Sequence, residues 1–136
     1  LHVGVLLLTT EIPNGIALRL TRRRLLKKNS LMEPLLVLTN CPDAATARTI
    51  AEAAVEARLA ACVNILAPVQ SIYRWQGKVE SAVEIPLFFK STAANYERLA
   101  ETIRALHPYE VPEIIALPIT HGLPAYLNWL AAETIQ

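Results

Sequence analysis

Glycine is scarce in this chain, at four of 136 residues. Neither G-x-G-x-x-G nor G-x-x-x-x-G-K-[ST] occurs, so a Gly-rich cradle for phosphates is excluded. G-x-S-x-G, H-E-x-x-H and C-x-x-C are missing too, which sets aside the common hydrolase, metalloprotease and dithiol signatures. Cysteine is limited to Cys41 and Cys62. Two thiols cannot build a disulfide scaffold, and they suit a reducing compartment better. No apolar run approaches the roughly eighteen residues of a membrane span. With 53% hydrophobic and only 18% charged residues, the composition is that of a folded domain and not of a disordered chain. The length allows one core.

The net charge of +1 hides an asymmetry. In residues 1–31, Arg19, Arg22, Arg23, Arg24, Lys27 and Lys28 stand against Glu11 alone, whereas residues 32–136 hold seven basic and eleven acidic side chains. Met32 is the one methionine and precedes the first clean strand pattern. The expected division is therefore a basic N-terminal extension, 1–31, ahead of a domain, 32–136. The extension reads as an expression-derived or upstream-encoded segment, as a targeting peptide, or as a basic arm. No aromatic residue interleaves its basic run, and the acidic balance of 32–136 argues against a nucleic-acid surface there. No membrane partner is expected.

The domain alternates between two periodicities. Pro34–Asn40 is a short apolar run ending in turn residues, which predicts a buried first strand. Asp43 is placed to cap a helix through about Arg58, with Ala47, Ile50, Ala51, Ala54 and Val55 on its apolar stripe. From Ala61 the period becomes two and predicts one strand through Trp75. Gln76-Gly77 supplies a turn, and Lys78–Lys90 returns with Val83, Ile85, Leu87 and Phe89 on one face. Pro86 cannot donate to a ladder and marks an edge or a bulge. Ser91 or Thr92 can cap a second helix, which His107-Pro108 ends. Val111–Ile119 predicts a fourth strand, and Pro124 opens a last helix to about Glu133. The order β-α-β-β-α-β with a terminal helix is the ferredoxin-like α+β arrangement. Both main helices then cover one sheet face, leaving the other face and a long hairpin in water unless copies of the chain associate.

Candidate chemistry is confined to a few places. Cys41 lies ahead of a helix N-terminus, where a thiol pKa can fall; the alternative is a small residue in a turn. Cys62 reads as a packed small hydrophobe or as a nucleophile lacking an orienting partner. His107-Pro108-Tyr109-Glu110-Val111-Pro112-Glu113 gathers an imidazole, a phenol and two carboxylates, donors suited to zinc or copper(II) if other ligands join them. The competing reading is a stiff connector. Ser71–Glu80 concentrates Tyr73, Arg74, Trp75, Lys78 and Glu80 at a hairpin tip, a subunit contact or the lip of a ligand site.

Ala60-Ala61-Cys62-Val63-Asn64-Ile65, the Ser71–Glu80 segment, His107–Ile114 and Tyr126-Leu127-Asn128-Trp129 together resemble the CutA divalent-cation tolerance family. The resemblance runs from about Leu35 to Trp129. It implies a ferredoxin-like protomer in a homotrimer similar to the PII-type regulators, a cytoplasmic location, no enzymatic activity, and weak binding of copper or another divalent cation. Copper ligands proposed in the family are a cysteine near the end of the first strand and a histidine pair before the proline. Thr39 and Leu106 stand at two of those positions here, leaving His107. The expected metal residues are His107, Cys62, Glu110 and Glu113; Tyr73, Trp75, Lys78, Glu84 and Tyr109 are expected at a ligand cleft or subunit interface. The alternative function is a PII-like signalling or scaffold trimer whose inter-subunit clefts take a small metabolite or a partner protein.

Overall fold

The computed structural model describes residues 16–135. Contacts divide the chain into Leu1–Leu31 and Met32–Gln136. In the first unit, helix α1 (Ile16–Leu31) carries no acidic residue in its opening turn, and Arg22, Arg23 and Arg24 are exposed. Within the N-terminal extension, Val5, Leu6, Leu7, Leu8 and Glu11 lie outside the described residues.

The second unit is an α+β, ferredoxin-like domain. Its elements are β1 (Pro34–Cys41), α2 (Ala44–Glu56), β2 (Cys62–Ile65), β3 (Val69–Trp75), β4 (Lys78–Thr92), a 3₁₀ turn (Ala93–Asn95), α3 (Tyr96–Leu106), β5 (Ile115–Pro118) and α4 (Pro124–Glu133). The sheet order is β2-β4-β1-β5, with β3 pairing β4 beyond β2, and every pairing is antiparallel.

Local chemistry explains the element ends. Asp43 Oδ1 accepts from Thr46 N at 2.7 Å and caps α2. These bonds hold the Asp43 carboxyl below its ordinary value, because they favour the charged form. After Ala57 the chain turns through Arg58 at φ 58°, and the Arg58 guanidinium donates to the carbonyls of Ala132 at 2.7 Å and Glu133 at 3.2 Å. A cation on the last carbonyls of α4 also opposes the negative end of that helix. Gln76 and Gly77, at φ 49° and 78°, close the two-residue hairpin between Trp75 and Lys78, the primed geometry that suits strand twist. The expected caps at Ser91 and Thr92 are not formed. Both residues belong to β4; the Ser91 hydroxyl donates to Leu59 O at 2.5 Å, and a 3₁₀ turn intervenes before α3.

Register assigns the faces, since directly opposed residues share one. Val37, Cys41, Ile85, Leu87 and Phe89 meet Ala47, Ile50 and Ala54 of α2 and Leu99 and Ile103 of α3 in the core. Val55 is 42% exposed, at the far edge of the stripe it was expected to join. The other face carries Leu36, Leu38, Phe88, Ile115 and Leu117. Of these, Ile115 and Leu117 remain 46% and 47% exposed. The last helix covers only one end of that face, where Tyr126 reaches Cys62.

The single strand expected over Ala61–Trp75 is two strands. β2 pairs Ile65 with Leu87, while β3 pairs Val69 with Glu84. Leu66, Ala67 and Pro68 thus oppose only Ile85 and Pro86, one extra residue in the manner of a bulge. Pro86 O accepts from Leu66 N at 2.9 Å. A residue's N–H and C=O point to the same side of a strand, so the proline's missing donor falls at this gap and not in the β1–β4 ladder. Beyond the gap the hairpin outruns both helices, and Val83, on the face it shares with Ile85, Leu87 and Phe89 as expected, is 59% exposed.

Thr39 faces the helices, 1% exposed, and its hydroxyl has no hydrogen-bond partner. A buried unsatisfied hydroxyl costs about 1–3 kcal/mol. Thr39→Val keeps the shape and removes the orphan; chemical denaturation should show a gain of about 1 kcal/mol, and a loss would mean that the hydroxyl has an internal partner.

Candidate functional site

The register that brings β3 against β4 also builds a cleft. Ser71, Tyr73 and Trp75 oppose Ala82, Glu80 and Lys78, while Glu84 opposes Val69. In β1, Asn40 opposes Pro86. By the two-residue period Asn40, Ser71, Tyr73, Trp75, Glu80 and Glu84 all fall on the helix-free face. The segment between α3 and β5 folds over them. The result is an open cleft of about 630 Å³ lined by those six residues together with Ile72, Tyr109, Glu110, Val111 and Glu113.

Asn40 fixes the covering segment. Its backbone carbonyl accepts from His107 Nε2 at 2.7 Å, and its side-chain amide donates to Glu113 Oε2. His107 Nδ1 accepts from Tyr109 N at 3.2 Å. A carbonyl can only accept and an amide N–H only donate, so these bonds assign the Nε2–H tautomer. The His107 and Tyr109 rings lie 4.7 Å apart. His107 itself is 7% exposed, and both its nitrogens serve the loop.

The lining is acidic. Glu80, Glu84, Glu110 and Glu113 contribute four carboxylates, with no lysine, arginine or histidine among the lining residues. Glu84 is only 9% exposed, yet it has no ion pair; the ion pair found among the described residues is Arg48–Glu52. Burial pushes the Tyr109 phenol up, and the Glu84 charge beside it adds to the shift. Burial, then Glu80 and Glu84, push Tyr73 the same way. Negative potential across the cleft resists a further negative charge.

The other residues singled out in the sequence lie elsewhere. Lys78 faces Trp75 across the hairpin tip and is not part of the lining. Cys62 is half-buried, its Sγ 3.5 Å from Tyr126 Oη, and that contact first, then burial, pushes Tyr126 up to about 12. Lys90, opposite Cys62, donates from Nζ to Asn64 Oδ1. Among the described residues no three His, Cys, Asp or Glu side chains are grouped closely enough to hold a metal ion. Cys41 is fully buried. Its thiol is raised to about 11 by burial, then by Asp43 and Glu84, so of the two readings the small packed residue holds. Thr39 points into the helix-side core, away from the cleft. Asn40 was missed because its role is set by strand face and loop position, and neither shows in its neighbours along the chain; the period of β1 was the available signal.

The family model for the CutA1 divalent ion tolerance protein matches residues 35–133. The divalent-cation tolerance protein CutA of Thermus thermophilus is 53% identical over 98 residues, which are 72% of this chain and 95% of that protein. Its counterpart in Citrobacter koseri is 40% identical over 104 residues, 76% of this chain and 90% of that protein. Among solved structures, the Thermus thermophilus divalent cation tolerance protein superposes with a TM-score of 0.73 at 51% identity, covering 74% of this chain and 98% of that one. A periplasmic divalent cation tolerance protein CutA from Archaeoglobus fulgidus superposes with a TM-score of 0.71 at 33% identity, covering 74% and 97%. The chain belongs to the CutA1 divalent ion tolerance family.

Two measurements check this geometry. Asn40→Asp sets a carboxylate against Glu113 and removes its donor, which should cost about 1–2 kcal/mol at neutral pH and be partly recovered in acid; no loss on denaturant titration would show that the clasp is not formed. At pH 8, alkylation of the native protein should reach Cys62 and spare Cys41, because a thiol at about 11 is almost wholly protonated there. Since that value lies above the ordinary 9.0, the stability it contributes is intact below pH 9 and is lost as pH rises towards 11. Rapid labelling of Cys41 in the folded protein would contradict both statements.

Proposed function

We propose that the chain acts as a non-enzymatic, homotrimeric divalent-cation tolerance protein of the cytoplasm, taking up copper or another divalent cation weakly at the acidic cleft. The observation that carries the cation reading is the uncompensated negative lining: Glu80, Glu84, Glu110 and Glu113 with no base among them. Carboxylate and phenol oxygens are hard donors, accepted by copper(II), zinc and manganese alike. Glu110 and Glu113 are the accessible ligands, both exposed. His107 becomes a ligand only by releasing Asn40 or Tyr109, and Cys62 by leaving Tyr126. No tight group of donors exists within the described residues, so the ion keeps water in its shell or completes its ligands from a neighbouring copy. Either way the affinity is low.

Trimerisation is supported by apolar surface that one copy leaves wet. Ile72, Val79 and Val83 on the hairpin are 73%, 66% and 59% exposed, and Ile115 and Leu117 on the helix-free face are 46% and 47% exposed. Contiguous patches of this kind mark association surfaces, and closed symmetry covers them in every copy. Two unbridged cysteines support a reducing cytoplasmic setting; fractionation separates this from the periplasmic location named for the Archaeoglobus fulgidus protein. The second reading, a PII-like signalling or scaffold trimer that binds a small metabolite, is favoured by the cleft's size.

Light scattering on the full chain should give three times the 15.0 kDa chain mass at micromolar concentration; a monomer would overturn the assembly. Calorimetric titration with copper(II) should show saturable binding that the Glu110→Gln, Glu113→Gln double variant weakens about tenfold. Equal affinity in both proteins would remove the cleft from the cation reading.

A further inference from the structure

The cleft has more room, and more aromatic wall, than a metal ion uses. Its volume of about 630 Å³ lies in the range of sites for small organic molecules. Its four carboxylates come from two places, Glu80 and Glu84 on β4 and Glu110 and Glu113 on the 107–113 loop, so they line two walls instead of converging. Hard cations need convergent oxygens at about 2.0–2.6 Å, and no such group is present among the described residues. Tyr73, Trp75 and Tyr109 line the same space, 41%, 43% and 38% exposed.

Spread carboxylates with aromatic surface between them fit a cation whose charges are also spread, along an apolar stem. We propose that this cleft binds an aliphatic polyamine, its ammonium groups meeting Glu84, Glu80 and the loop carboxylates and its methylene stem lying on Tyr73, Trp75 and Tyr109. The proposal rests on the cleft being a cation site and adds the class of cation. Glu84 is the anchor. It is nine-tenths buried, it lines the cleft, and the group bonded to it there is the neutral Tyr109 phenol, with no lysine or arginine paired to it. Ammonium groups near aromatic faces gain a further cation–π attraction, which a metal ion holding its water shell realises poorly. A single-charge amine would leave most of the lining uncompensated, whereas a di- or triammonium ion answers it.

The test is calorimetric titration of the full chain with spermidine at low ionic strength, beside the same titration with copper(II). The expected result is saturable binding near one spermidine per chain, weakened at least tenfold by Glu84→Gln and several-fold by Trp75→Ala. Glu80→Gln, on the exposed hairpin, supplies a second variant whose folding is not at stake and should also weaken binding. Absence of saturable spermidine binding overturns the proposal; with copper(II) still bound, the cation reading stands without it, and with neither bound both fall. Spermidine binding unchanged in Glu84→Gln and Glu80→Gln is attraction to acidic surface in general and also overturns it.

Discussion

One residue holds the cleft together from both of its polar ends. The Asn40 carbonyl takes the His107 ring proton and the Asn40 amide holds Glu113, so the 107–113 segment is tied to the sheet at its first and last residues. Between the ties, Pro108 and Pro112 limit the backbone that could move. The segment carries half of the cleft's carboxylates, Glu110 and Glu113. Without the clasp these would sit on a loose surface loop, and hydration would take most of their effect.

The opposite wall depends on β4. A strand of 15 residues cannot be covered along its length by two helices of 13 and 11 residues that pack near one end. Its inner part builds the core with β1 and β2; its outer part, past the Pro86 break, carries β3 and the turn into water. That overhang places Tyr73, Trp75, Glu80 and Glu84 beside the loop, and it leaves Ile72, Val79 and Val83 exposed. The same geometric excess thus yields a cleft wall and exposed apolar surface. A domain this small gains stability by covering such surface, so the proposed cation site and the proposed assembly would share one hairpin.

Much of this architecture was readable in the residues. The change from a 3.6-residue to a two-residue period, Asp43 as a cap, Gln76-Gly77 as a turn and His107-Pro108 as a helix end are local signals, and the order of elements followed from them. The β2–β3 break escaped because alternation runs through Leu66–Pro68 almost undisturbed; only pairing against Pro86 reveals the extra residue. Val55 and Val83 have core-like spacing but lie beyond the reach of their partner elements. Cys41 was open to two readings, and burial decided between them by raising the thiol. In the cleft, Tyr73, Trp75, Tyr109, Glu110 and Glu113 were singled out by local composition and Glu84 by the family resemblance, and the fold brings them to one lining. Lys78 was singled out too; it shares the face of Trp75 at the hairpin tip but is not in the lining, and Cys62 is held by its Tyr126 contact away from the cleft. Asn40 was legible only through the two-residue period of β1.

The central claim is that uncompensated carboxylates in this cleft, and not a thiol–imidazole pair, are where a cation settles. Anomalous scattering from crystals of the full chain soaked in copper(II) tests it most directly. The account predicts a peak in each copy beside Glu110 or Glu113, with the His107 ring still bonded to the Asn40 carbonyl. A peak on Cys62 or on a His107 nitrogen, with the carboxylates left bare, would contradict it.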